Sequence, residues 1–211
     1  MHWFALAAAL TGAAHIVTDY RGPRALTYLF KPGTMLIIIG MLWSYPVVDE
    51  PLRWLITFGL LASLVGDCFL MLPTKPLLPG LGSFLLAHIV YVYAFAQRQA
   101  IEWEPAIWAV IGLLLGWLAV MFGFMGQRAG KLLIPGAFYL GSLACMVFFA
   151  ANIAFVGLAG GTVLLVGALF FLASDSALAF NRIYKPYASA QLLILSTYYV
   201  AQYLIAASVL V

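Results

Sequence analysis

Two aspartates stand inside long apolar runs, Asp67 in GLLASLVGDCFLML and Asp175 in GALFFLASDSALAF. A carboxyl group in hydrocarbon is costly, so it faces a bundle interior or a wet cavity and marks a site of function. One protonated acid beside one carboxylate is the arrangement that proton transfer at near-neutral pH requires. A proton relay in a transporter needs the same features. The structural alternative is that each aspartate ties helices together by a hydrogen bond or neutralises a lysine or arginine.

The elements that carry these residues are membrane spans. Hydrophobic residues fill 65% of the 211 positions and charged residues 8%, and the mean hydropathy is +1.07. A soluble domain carries roughly 25% charged residues; here too few polar groups exist to cover a water-facing surface. The net charge of +3 is too small and too scattered for a phosphate-tracking stripe, so no nucleic-acid partner is indicated. At about 20 apolar residues per crossing, eight runs qualify: 3–18, 32–47, 52–72, 79–97, 105–125, 132–151, 162–180 and 188–211. Short connections rich in Pro, Gly and charge join them. The expectation is an all-α polytopic membrane protein of eight spans, with residues 1–211 as a single integral membrane domain. The N-terminal run lacks the basic stretch of a secretory signal and is expected to be a retained first span.

Lysine and arginine set the orientation. Loops after spans one, three, five and seven hold Arg21, Arg24, Lys31, Lys75, Arg128, Lys131, Arg182 and Lys185, while the opposite loops hold Arg53 and Arg98. This bias predicts both termini outside, the basic loops in the cytoplasm, and a cell (inner) membrane location. Asp67 precedes Pro73 by six residues and Asp175 precedes Arg182 by seven. Both therefore lie about 9–10 Å inside the cytoplasmic boundary at 1.5 Å per residue. The two segments align without gaps, each with a glycine eight residues before the aspartate and a Lys-Pro pair after it. That echo predicts a parallel repeat of two four-helix units, as in some transporters.

Other polar groups converge on the same side. His88 lies slightly deeper on span four, and Tyr91 follows at i+3 on the same helical face. Lys31 begins span two at the cytoplasmic edge and Arg182 ends span seven; both also suit headgroup anchoring. Ser174 immediately precedes Asp175, and span eight brings Ser196, Thr197, Tyr198, Tyr199 and Gln202 as candidates to line a cavity. Cys68 and Cys145 lie in apolar runs and read as small buried hydrophobes. The histidines are His2, His15 and His88. With no HExxH and no cysteine pair, the spacing demands no metal site, and no metal or other cofactor is expected. A serine hydrolase is weakly supported, because no GxSxG elbow is present.

The order KPGT near span two, LVGDCFLMLP ending span three, SFLLAHIVYVYAF in span four, LFFLASDSALAFN in span seven and TYYVAQYLI in span eight resembles the YhhN-like membrane lysoplasmalogenases. The resemblance covers nearly the whole chain, although spans one, five and six match only in apolar character. It implies hydrolysis of the vinyl ether bond of lysoplasmalogens to a fatty aldehyde and a glycerophospho-alcohol. The positions proposed as catalytic in that family fall on Asp67 and Asp175. A vinyl ether opens by protonation of its β-carbon, and the resulting oxocarbenium ion takes up water. That chemistry needs a protonated carboxyl and a second carboxylate. Asp67 and Asp175 are expected to be the pair, with acid and base unassigned, and His88 and Tyr91 to position water or carboxylate. Lys31 and Arg182 would hold the substrate phosphate, with Ser174, Tyr198 and Gln202 lining the substrate site. The expected partner is a lysophospholipid within the membrane. A proton-coupled or lipid transporter would use the same acids and give flux without product. A structural or partner-binding protein would tolerate replacement of both aspartates.

Overall fold

A computed structural model describes residues 2–73 and 76–210, without the side chain of Gln127; Lys75, counted above among the basic loop residues, lies outside them. The helices are α1 (His2–Arg21), α2 (Arg24–Ser44), α3 (Glu50–Met71), α4 (Leu77–Arg98), α5 (Pro105–Met125), α6 (Leu133–Phe155), α7 (Gly161–Ala179) and α8 (Ala190–Ala207). Two 3-10 turns join α5 to α6, and a π-helical turn, Phe180–Tyr184, extends α7. The helices α2 to α8 are long and apolar enough to cross a membrane; α1 is not among them. Its two histidines, Asp19 and Arg21 lower its hydropathy.

Local signals explain the starts of α3 and α5. Asp49 accepts a hydrogen bond from the Leu52 amide at 2.8 Å, and Pro51 stands in the first turn of α3, where its missing N–H leaves no gap. Pro105 opens α5 in the same way. Span two departs from the sequence reading. Here Pro32 lies within the helix, and α2 starts eight residues earlier, at Arg24. Pro32 removes the bond to the Tyr28 carbonyl, but packed neighbours let a membrane helix run through such a break. Lys31 therefore sits well inside α2, not at its edge. The cysteines also differ from expectation: Cys68 and Cys145 are exposed on the outer surface of the bundle. A thiol facing lipid tails needs no cover from protein.

Packing centres on α8, which lies along α7 and also meets α1, α2 and α3. Helices α3 and α4 form a close pair, α6 packs between α4 and α7, and α5 lies outside on α6. Small residues permit the α3–α4 approach. A Cβ on Gly59 would overlap the Tyr91 ring, and one on Gly66 would lie 2.8 Å from Phe84. Polar clamps hold the ends. Asn152 of α6 accepts from the Glu102 amide at 2.9 Å and donates to the Ala100 carbonyl at 3.0 Å. The Tyr20 hydroxyl of α1 donates to the Ala188 carbonyl and accepts from the Leu192 amide, which ties α1 to the start of α8.

The α3–α4 contact yields a stability prediction. Gly59→Ala overpacks the seam against Tyr91 and should cost about 1–3 kcal/mol, seen as a lower Tm in detergent. Gly116→Ala, with nothing within 4 Å of the new Cβ, should leave Tm unchanged. Equal melting of the two variants would contradict this packing.

Candidate active site

Side chains from α1, α2, α3, α7 and α8 enclose a cavity of about 300 Å³. Exposed Asp19, Arg24 and Arg182 form its rim. Its floor contains His15, Lys31, Asp67, Asp175 and Tyr198; the two aspartates are only 2% and 6% exposed. Antiparallel α2 and α3 bring Lys31 beside Asp67, and α7 delivers Asp175 from the opposite wall. Both intramembrane carboxyl groups thus face one space.

Their surroundings differ. Asp67 Oδ1 lies 3.0 Å from Lys31 Nζ, and Oδ2 accepts from the Tyr198 hydroxyl at 2.7 Å. Each oxygen has a donor, one of them charged. Asp175 Oδ2 accepts from the Tyr139 hydroxyl of α6 at 2.6 Å. Its Oδ1 has no hydrogen-bond partner among the described residues, and no lysine or arginine there pairs with it.

His88 Nε2 stands 3.5 Å from Asp175 Oδ2 and makes no hydrogen bond. Ser142 Oγ donates to the Tyr139 carbonyl at 2.8 Å and lies 3.3 Å from His88 Nδ1. With its one proton spent, Ser142 is an acceptor for Nδ1–H, and in the neutral imidazole Nε2 then presents its lone pair to Asp175. Phe171 meets His88 edge-on at 4.9 Å and Tyr198 at 5.8 Å, forming an aromatic wall between the two aspartate clusters.

The remaining sequence candidates divide. Arg182 and Ser174 line the cavity, and the Ser174 hydroxyl is bonded to the Ile194 carbonyl at 2.9 Å. Tyr91 and Gln202 pair with each other at 2.9 Å, buried beyond the cavity floor and outside its lining. His88 also lies behind the lining, next to Asp175. Ser196 and Thr197 bond carbonyls of their own helix, and Tyr199 pairs with His15 Nδ1 at 2.7 Å. Tyr139 and Ser142 escaped the sequence reading, and Arg24 entered it only as a loop cation. A lone tyrosine in an apolar span was the available signal for Tyr139.

The sequence matches the YhhN family model over residues 26–209. The chain belongs to the YhhN family. It is 31% identical over 158 residues to "Uncharacterized membrane protein YhhN" of Escherichia coli O6:H1, covering 74% of this chain and 73% of that protein. Human lysoplasmalogenase TMEM86B is 32% identical over 183 residues, covering 86% and 74% respectively. A Mycobacterium bovis lysoplasmalogenase is 29% identical over 201 residues, with the same two shares. No solved structure matches the chain. The family region includes Lys31, Asp67, Tyr139, Asp175 and Tyr198, and excludes α1.

The buried ion pair makes its own prediction. Lys31→Met leaves Asp67 without its cation and should destabilise the protein by roughly 3–5 kcal/mol. Adding Asp67→Asn should restore most of that loss in detergent unfolding. A double variant as unstable as the single one would show that Lys31 acts through something other than Asp67.

Proposed function

We propose that this chain hydrolyses the vinyl ether bond of lysoplasmalogens within the membrane, with Asp175 as general acid and Asp67 as ionised partner. Two relatives bear the name lysoplasmalogenase. The observation that carries the residue assignment is the contrast between two aspartates lining one cavity, one held by a lysine and the other not. A carboxylate favours the site beside Lys31. A neutral carboxyl favours the site where an imidazole lone pair approaches and no cation stands.

Asp175 gives its proton to the β-carbon, and the double-bond electrons form the new C–H bond, leaving an oxocarbenium ion. The Asp67 carboxylate stabilises that cation and takes a proton as water adds to the α-carbon. In the collapse of the hemiacetal, Asp67 returns its proton to the departing glycerol oxygen. The hemiacetal hydroxyl proton goes to Asp175. One water is consumed, and a fatty aldehyde and a glycerophospho-alcohol leave. Tyr139 and His88 orient Asp175, and Tyr198 orients Asp67. Lys31, engaged with Asp67, is not free for the phosphate; Arg24 and Arg182 on the rim take that role, as forked donors suited to it.

The same proposal reads α1 as an eighth crossing, supported by its packing along α2 and α8. Both termini are then outside, and the cavity opens towards the cytoplasm through the basic rim. The corresponding positions of Asp67 and Asp175 on α3 and α7 support the parallel repeat.

Purified protein incubated with lysoplasmenyl-ethanolamine should release aldehyde, and the saturated ether and acyl analogues should stay intact. Asp67→Asn and Asp175→Asn should each lower the rate about 10²–10⁴-fold, Asp175→Asn with Tm retained and Asp67→Asn folded at a lower Tm, because it leaves Lys31 without its anion. Full activity in either variant, or cleavage of the saturated ether, would overturn the proposal.

A further inference from the structure

Asp175 belongs to the walls of two spaces. Beside the polar cavity, a narrow crevice of about 40 Å³ lies among α4, α6 and the end of α7. Leu81 of α4, Gly136 and Leu140 of α6, and Leu178 of α7 help to wall it. Asp175, Leu178 and Arg182 line both spaces, so crevice and cavity meet there. Their chemistry is opposite. The cavity holds Asp19, Arg24, Lys31 and Asp67, whereas the crevice is apolar apart from Tyr139, Asp175 and Arg182.

We infer that the crevice takes the alkenyl chain of the substrate and that the glycerophosphate occupies the polar cavity. This rests on the vinyl ether reading above and adds the substrate's direction of binding. A single-chain alkenyl lipid changes from polar to apolar at its vinyl ether, and the two spaces change at Asp175. The β-carbon, which accepts the proton, is on the chain side of the bond. The oxygen and the α-carbon, where water adds, are on the headgroup side. A chain in the crevice therefore presents the β-carbon to Asp175 while the cationic α-carbon faces Asp67.

A volume of about 40 Å³ is only a few times the roughly 10–15 Å³ that one water needs, so it takes the first carbons of the chain and not its whole length. The rest of the chain follows the α4–α6 seam. One turn beyond Leu81, Leu85 and Phe138 border an outward-facing apolar groove of about 460 Å³. Gly136 controls the entrance. Its missing side chain leaves the crevice open, and a Cβ there would stand 2.7 Å from the mobile end of Met125.

The test compares wild type with Gly136→Leu on two vinyl ether lysophospholipids sharing one headgroup, one with a long alkenyl chain and one with a propenyl chain. Filling the crevice should lower kcat/KM for the long chain at least about tenfold relative to the short one. An unchanged ratio, or equal loss of both substrates in a folded variant, overturns the inference. Leu140→Ala, which widens the crevice, should raise relative kcat/KM for a chain methyl-branched beside the double bond; no change counts against it and covers a Gly136→Leu variant that fails to fold. A saturated ether lysophospholipid with a diazirine next to the ether requires no turnover. It should label Leu81, Gly136 or Leu140 in wild type, and labelling confined to the polar cavity overturns the inference. Labelling of the crevice in a protein that cleaves neither vinyl ether would instead sink the reaction and keep the binding site.

Discussion

Lys31 and Asp67 meet at 3.0 Å inside a bundle whose outer surface is apolar, and neither charge is tolerable there alone. Moving a single ion from water into such an interior costs several kcal/mol even after relaxation, and pairing offsets this only with good geometry and further hydrogen bonds. Both conditions are met. The ammonium sits on one carboxylate oxygen and the Tyr198 hydroxyl on the other. Because the partners come from α2, α3 and α8, this contact joins three helices at one depth. It also requires α2 to begin at Arg24, so that Lys31 is held on a helix and not on a loop.

From that contact follows the inequality between the aspartates. The lysine that pairs with Asp67 has no counterpart beside Asp175 among the described residues, where a tyrosine hydroxyl and an imidazole are the neighbours. Phe171 and Tyr198 separate the two clusters without closing the cavity between them. Deeper in the bundle, Ser63 and Gln202 stand beside Tyr91, whose hydroxyl donates to Gln202 Oε1. That second polar layer is distinct from the cavity, and Tyr91 lies outside the cavity lining.

Much of this was legible in the sequence, for identifiable reasons. Apolar runs near the length of a crossing have one stable backbone solution in hydrocarbon, the helix, so α3 to α8 begin and end within four residues of the expected limits. An aspartate inside such a run is expensive enough to announce itself. Lys31 was misplaced because proline marks a helix start by default, and only the packed neighbours of α2 let the helix continue through Pro32. The cysteines were misplaced because lipid, unlike water, allows an apolar side chain to face outward. Tyr91, three residues and about 4.5 Å along the helix from His88, pairs with Gln202 outside the cavity lining. Tyr139 left only the mark of a lone tyrosine in its span, and the leucine crevice left none, because leucine is what any span contains.

The division of labour between the carboxyl groups can be observed without substrate. Infrared spectra of the protein in membranes near neutral pH, recorded for wild type, Asp67→Asn and Asp175→Asn, report which side chain carries a proton through the carbonyl stretch of a protonated carboxyl. This division of labour predicts such a band in wild type, its loss in Asp175→Asn and its persistence in Asp67→Asn. A band that is absent from wild type, or that disappears with Asp67 instead, would contradict it.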